Sequence, residues 1–121
     1  MSVMKKSQLS NLQDTIIQIC AKRFDLTVNE FLTVKTRNPE NVLRRYMAYY
    51  LIKNNTFLSN EAISSIFGCC GENAVRYGID KVGDYLFYEK RVIAEIKQIQ
   101  EMIDNFTKDK EKSYVQAWLT Q

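Results

Sequence analysis

The chain has 121 residues, with 17 Lys and Arg against 14 Asp and Glu, a formal net charge of +3, and no His. That length suits one domain with a helical appendage, and a composition 45% hydrophobic and 26% charged excludes a mainly disordered chain. Without His there is no Ser-His or Cys-His nucleophile pair and no imidazole base or metal ligand, and a single Pro with four Gly argues against a turn-rich β-sandwich.

The first periodic segment predicts a helix over 10–23, capped by Ser10 or Asn11, with Leu12, Ile16, Ile19 and Cys20 at helical spacing. Phe24-Asp25-Leu26-Thr27 interrupts it. Thr27-Val28-Asn29-Glu30 is a capping box, in which the Thr oxygen accepts a backbone N–H and Glu30 reaches back to the cap residue, so a short helix over 28–33 follows. After the polar loop Lys35–Glu40, Pro39 suits the first turn of a helix over 39–54, with Val42, Leu43, Met47, Tyr50 and Leu51 forming a broad apolar stripe. Ser59 caps a helix over 60–67, with Ala62, Ile63, Ile66 and Phe67 inward, and Gly68 is placed as its left-handed stop. The turn Cys69-Cys70-Gly71 leads to a helix over 72–83 carrying Val75, Ile79 and Val82. Two short helices joined by a Gly-containing turn make a helix-turn-helix pattern. The last helix is expected over 85–107, where Val92, Ile96, Ile99, Ile103 and Phe106 repeat at heptad-like steps. Packing on the bundle is the plain reading of that stripe, and a homodimer through the 85–106 helix the sharper one. Charged residues 107–112 read as a link, and Tyr114, Val115, Trp118 and Leu119 as a small amphipathic tail. The fold class is thus all-α, a helical bundle containing a helix-turn-helix with a long C-terminal helix. The division is a domain over 1–106 and an appendage over 107–121.

Three Cys (Cys20, Cys69, Cys70) cannot build a disulfide framework and fit a reducing compartment, and their number is one short of a tetrahedral metal site, so no metal is expected. The longest apolar run, Tyr46–Ile52, is too short to span a bilayer, and no apolar leader follows the N-terminus, so a cytoplasmic protein with no membrane partner is expected. No phosphate-cradling Gly-rich loop and no paired carboxylates stand out, which points away from an enzyme and from a bound cofactor. The charge is uneven. Residues 32–58 hold Lys35, Arg37, Arg44, Arg45 and Lys53 against Glu40 alone, a local +4, whereas 59–121 carries eight basic and ten acidic groups. A local cationic patch attracts polyanions because phosphate contacts release condensed counterions. A solvated helix face would look the same.

From Leu12 to Ile103 the chain resembles the C-terminal DNA-binding domain of the bacterial replication initiator DnaA. "VNEFLTVKTR" resembles the entry to that family's basic loop, with Lys35 and Arg37 on basic positions. "RRYMAYYLIKNNTFLS" resembles its long helix, matching Arg45, Met47, Ala48, Leu51, Lys53, Thr56 and Ser59. "AISSIFG" resembles the next helix at Ile63, Phe67 and Gly68, and "VRYGIDKV" the body of the recognition helix at Val75, Lys81 and Val82. The resemblance implies an all-α helix-turn-helix domain that binds double-stranded DNA in replication or transcription control. It departs where the family carries Arg-Asp-His-Thr-Thr at the start of the recognition helix. Here those positions read Cys70-Gly71-Glu72-Asn73-Ala74, and Pro39 replaces a basic loop residue. The family's operator specificity is therefore not carried over.

The expected DNA-binding set is Lys35, Arg37, Arg44, Arg45, Asn73, Arg76, Tyr77 and Lys81. Arg suits phosphates and narrow minor grooves, Asn pairs with adenine, Arg with guanine, and Lys81 one turn on meets a phosphate. These groups are expected to share one positive face. The aromatics at 46, 49, 50, 77, 85, 87 and 88 are read mainly as core and rim, and Cys69-Cys70 as inert thiols. The alternative function is a protein-interaction module that keeps the fold and has lost DNA binding, which Glu72 and the missing recognition residues favour.

Overall fold

A computed structural model describes the backbone of residues 6–33, 38–68 and 71–119, with side chains over 12–33, 38–68 and 71–108. Among the described residues the chain is all-α: α1 (Lys6–Arg23), α2 (Val28–Thr33), α3 (Pro39–Asn55), α4 (Asn60–Phe67), α5 (Glu72–Tyr85) and α6 (Lys90–Leu119). No helix there is long and apolar enough to cross a membrane.

Local chemistry sets most of the boundaries. Helix α1 stops because Asp25 adopts a left-handed conformation at φ 59°, which lets Leu26 N–H reach back to Ala21 C=O at 2.9 Å. Asp tolerates this region better than most residues. The capping box then forms as read, with Thr27 N–H donating to Glu30 at 3.0 Å and Glu30 N–H donating to Thr27 Oγ1 at 3.1 Å. The bond from Thr27 N–H to the charged form, with the Thr27 side chain adding, holds the Glu30 carboxyl below the usual carboxylate range. Asn38 Oδ1 accepts from Glu40 N–H at 2.9 Å at the start of α3, with Pro39 in the first turn. Ser59 Oγ accepts from Ala62 N–H at 3.1 Å to open α4, and Gly68 at φ 67° closes it.

The packing centres on α3, which touches α1, α4, α5 and α6. It is therefore buried on more sides than a single stripe implies: Met47, Ala48, Tyr49, Leu51 and Ile52 are core, while Val42, Leu43 and Tyr50 are only partly covered. An aromatic chain ties the small helices to it. Phe24 meets Phe31 at 5.8 Å, Phe31 meets Phe67 edge-on at 5.8 Å, and Phe67 meets Tyr49 edge-on at 4.9 Å. Cys20 sits in the same core, and burial, with Glu95 adding, pushes its thiol up to about 12.

Helices α1 and α6 run antiparallel, since Arg23 at the end of α1 meets Glu95 and Gln98 near the start of α6. The α6 stripe Val92, Ile96, Ile99 and Ile103 is buried in this bundle. That burial accords with the plain reading of the stripe as packing on the bundle. A reciprocal amide pair, Asn55 with Gln100 at 2.8 Å in both directions, ties α6 to the end of α3. Helix α6 starts five residues later than expected because Leu86–Glu89 form a turn. It also continues through 107–112, the segment read as a link. Lys, Glu and Asp there carry no Gly or Pro to stop a helix, so charge density was a poor sign of a break.

Candidate nucleic-acid interface

Helix α4, the Gly68 stop and α5 form the helix-turn-helix. Helix α5 seats on α3 and α4 through Val75, Gly78 and Val82, all buried. At about 100° per residue this seat leaves Asn73, Arg76, Tyr77, Asp80 and Asp84 on the opposite side, and all five are exposed. Tyr77, 57% exposed, leans its ring edge-on against Tyr46 of α3 at 5.9 Å. Lys81 is partly covered, with its ammonium 5.6 Å from the centre of the Tyr85 ring. Three of the expected residues, Asn73, Arg76 and Tyr77, thus stand together on one ridge, and Lys81 flanks it.

That ridge is not simply cationic. Arg76 Nη2 lies 3.3 Å from Glu72 Oε1, one turn before it. Asp80 follows one turn after, and Asp84 one turn beyond that. The i, i+4 spacing of Glu72, Arg76, Asp80 and Asp84 is written in the sequence. The two aspartates offset the positive residues of the ridge.

Arg44 and Arg45 belong elsewhere. Two residues apart on a helix, side chains leave about 160° apart, so Arg44 points away from the side on which Tyr46 meets Gly78 and Tyr77. Arg44 instead stacks over Phe24, with its guanidinium 5.3 Å from the ring centre, and donates to Asn41 at 3.1 Å. Arg45 is 8% exposed and has its own contacts within the protein. One positive face joining the start of the long helix to α5 is therefore not formed by these two arginines. Helical position dominated over charge: residues 45 and 48 share the buried side of a central helix. Lys35 and Arg37, and the thiols Cys69 and Cys70, lie outside the described residues.

Arg44 lines a second feature that sequence reading missed. A cleft of about 240 Å³ between α1, α3 and α6 is bordered by Arg23, Arg44 and Arg91, with Glu40 and Glu95 between them and Phe24, Leu43, Met47 and Val92 as its floor. Arg23 pairs with Glu95 at 2.5 Å, Arg91 pairs with Glu40, and Arg44 is 4.0 Å from the same Glu40. The carboxylate beside it raises the Arg23 pKa, so this guanidinium stays charged. No spacing rule could reveal the cluster, because its members are 51 and 72 residues apart. Most aromatics are rim or core as expected, but Phe87 and Tyr88 are 89% and 66% exposed in the α5–α6 turn.

No protein-family model matches the chain. It is similar to curated proteins named chromosomal replication initiator protein DnaA. The one from Picosynechococcus is 29% identical over 92 residues, which is 76% of this chain and 20% of that protein. The one from Bacteroides thetaiotaomicron is 31% identical over 90 residues, 74% of this chain and 19% of its own length. The one from Corynebacterium jeikeium is 30% identical over 94 residues, 78% and 16%. The chain spans about a fifth of the length of these relatives, in their C-terminal region.

Proposed function

Because the chain carries a DnaA C-terminal-like domain over about three quarters of its length, we propose that it binds double-stranded DNA through the exposed ridge of α5 and serves in replication or transcription control. The observation that carries this reading is the ridge itself. A helix-turn-helix whose second helix is seated by Val75, Gly78 and Val82 presents Asn73, Arg76 and Tyr77 to solvent from its first turns. Asn reads adenine and Arg reads guanine in the major groove, and Lys81 lies close enough along the helix to meet a phosphate. Lys35 and Arg37 add loop contacts on the strength of the sequence resemblance. Arg44, stacked over Phe24, and Arg45, buried, lie away from this ridge, so the reading does not draw on them.

The specificity differs from that of the initiators the chain resembles, since the residues opening the recognition helix are different and Glu72 stands among them. Initiation as a whole is not assigned to this chain, which matches only a small part of each initiator.

A second reading has one observation in its favour. The exposed α5 face carries Glu72, Asp80 and Asp84 against Arg76 and Lys81, a balance that suits a protein partner as readily as a polyanion. A salt titration with random duplex DNA separates the two. DNA binding predicts affinity that falls steeply with salt and that Lys81→Ala weakens, with a shallower salt slope. No binding of the intact chain or of any charge variant to duplex at 0.05 M salt, the concentration range in which phosphate contacts are strongest, sends the reading to the interaction module.

A further inference from the structure

We propose that Glu72 is a specificity-determining residue of the α5 ridge: it holds Arg76 in an ion pair that base edges of a G·C pair can replace and phosphates cannot. This rests on the DNA-binding reading above.

The starting point is the ion pair. Arg76 Nη2 and Glu72 Oε1 are 3.3 Å apart, with side chains 59% and 50% exposed, so the pair stands at the surface a duplex would meet. Asp80 lies one turn further along the same ridge, which places Arg76 between two carboxylates at i−4 and i+4. Of the five charged residues on and beside the ridge, Glu72, Arg76, Asp80, Lys81 and Asp84, three are acidic. Binding driven by counterion release needs net positive charge. This helix therefore gains little from an arbitrary duplex.

The two halves of the pair make the opposite demands of a ligand. Arg76 donates only and Glu72 accepts only. A phosphate accepts from Arg76 but repels Glu72, which is left beside a like charge. A G·C pair offers acceptors on guanine O6 and N7 for Arg76 and a donor on cytosine N4 for Glu72. Both side chains then exchange one partner for another. A carboxylate at this position thus penalises non-cognate binding and is tolerated, or used, at a cognate site.

The experiment uses the full chain and Glu72→Gln, which keeps the side-chain length and a hydrogen-bonding oxygen. Binding is measured to random duplex between 0.05 and 0.2 M salt, and each protein is put through a selection from a random duplex pool. One net charge gained at the interface predicts about tenfold tighter random-duplex binding at 0.05 M, shrinking to roughly threefold at 0.2 M. It also predicts a loss of G·C enrichment at one selected position. Unchanged affinity and unchanged salt slope in Glu72→Gln, with salt-dependent binding by the parent chain, overturn this proposal and leave the DNA-binding reading standing. Failure of the parent chain, Glu72→Gln and the double variant Glu72→Gln/Asp80→Asn to bind any duplex at 0.05 M overturns both. Binding by the variants where the parent chain does not bind supports the carboxylate's role.

Discussion

Two glycines in α5 make a paired prediction about how this helix is held. Gly78 is buried against α3, and a methyl group added there would lie 2.5 Å from Tyr46 Cδ1, 2.9 Å from Cγ and 3.1 Å from Cε1. Cγ is the root of the ring, so rotating the phenol tip cannot relieve the contact. Either α3 and α5 separate or Tyr46 leaves its place beside Tyr49 and Tyr77. Overpacking of this kind costs about 1–3 kcal/mol, and Gly to Ala in a helix interior returns roughly 0.5–1 kcal/mol. Gly78→Ala should therefore lose about 1–2 kcal/mol, which lowers the urea midpoint by roughly 0.5–1 M for a domain of this size. Gly83, five residues on in the same helix, has nothing within 4 Å of the added carbon. Gly83→Ala should then stabilise by up to about 1 kcal/mol. A background of Tyr46→Ala should erase most of the Gly78→Ala penalty, which a double-mutant cycle reads directly. Equal midpoint shifts for the two glycines, or a Gly78→Ala penalty that survives in the Tyr46→Ala background, refute the claim that Tyr46 and Gly78 set the seat of α5.

Ser59→Ala removes the oxygen that accepts from Ala62 N–H and should cost about 1 kcal/mol in a denaturation experiment, while Ser65→Ala, at a position outside the cap, should cost less. Cys20 should resist a thiol reagent at pH 8 in the native protein and react on unfolding, because burial raises its pKa to about 12. The same shift fixes a sign. The folded thiol ionises at higher pH than the unfolded one, so the stability it contributes is intact below pH 9.0 and declines as pH climbs from there toward 12. Cys20→Ala should flatten that alkaline limb, measured as unfolding midpoint against pH. Glu30 works the other way. Its lowered pKa means its contribution is present above the ordinary carboxylate range and is lost as pH falls through the folded value, a loss that Glu30→Gln should abolish. For the division at 106/107, a chain ending at Lys108 should keep one cooperative transition, since Ile103 and Phe106 are retained. A broadened, non-cooperative melt would move the boundary into the later turns of α6.

The sequence alone determined the local events. Thr27-Val28-Asn29-Glu30 is a local capping signal, because its partners are three residues apart, and it opens α2 in the structure as read. Asn38-Pro39, Ser59 and Gly68 set the ends of α3 and α4 for the same reason, and the order of motifs from "VNEFLTVKTR" to "VRYGIDKV" was enough to expect an all-α helix-turn-helix. What depends on which helix lies beside which was decided only in the folded chain. Arg44 and Arg45 are adjacent basic residues at the start of a helix and look alike in a charge count. Yet one stacks on Phe24 at the α1 end and the other is buried, because α3 is surrounded by four neighbours. The α6 stripe reads in sequence as a seam for either the bundle or a partner chain, and in the fold it packs into the bundle. Arg23, Glu40, Arg91 and Glu95 meet across gaps of 51 and 72 residues. Short-range hydrogen bonds need only neighbours in sequence, so a single chain discloses them. The direction a charged side chain takes depends on which surfaces the packed helices leave in water, and that is a property of the whole bundle.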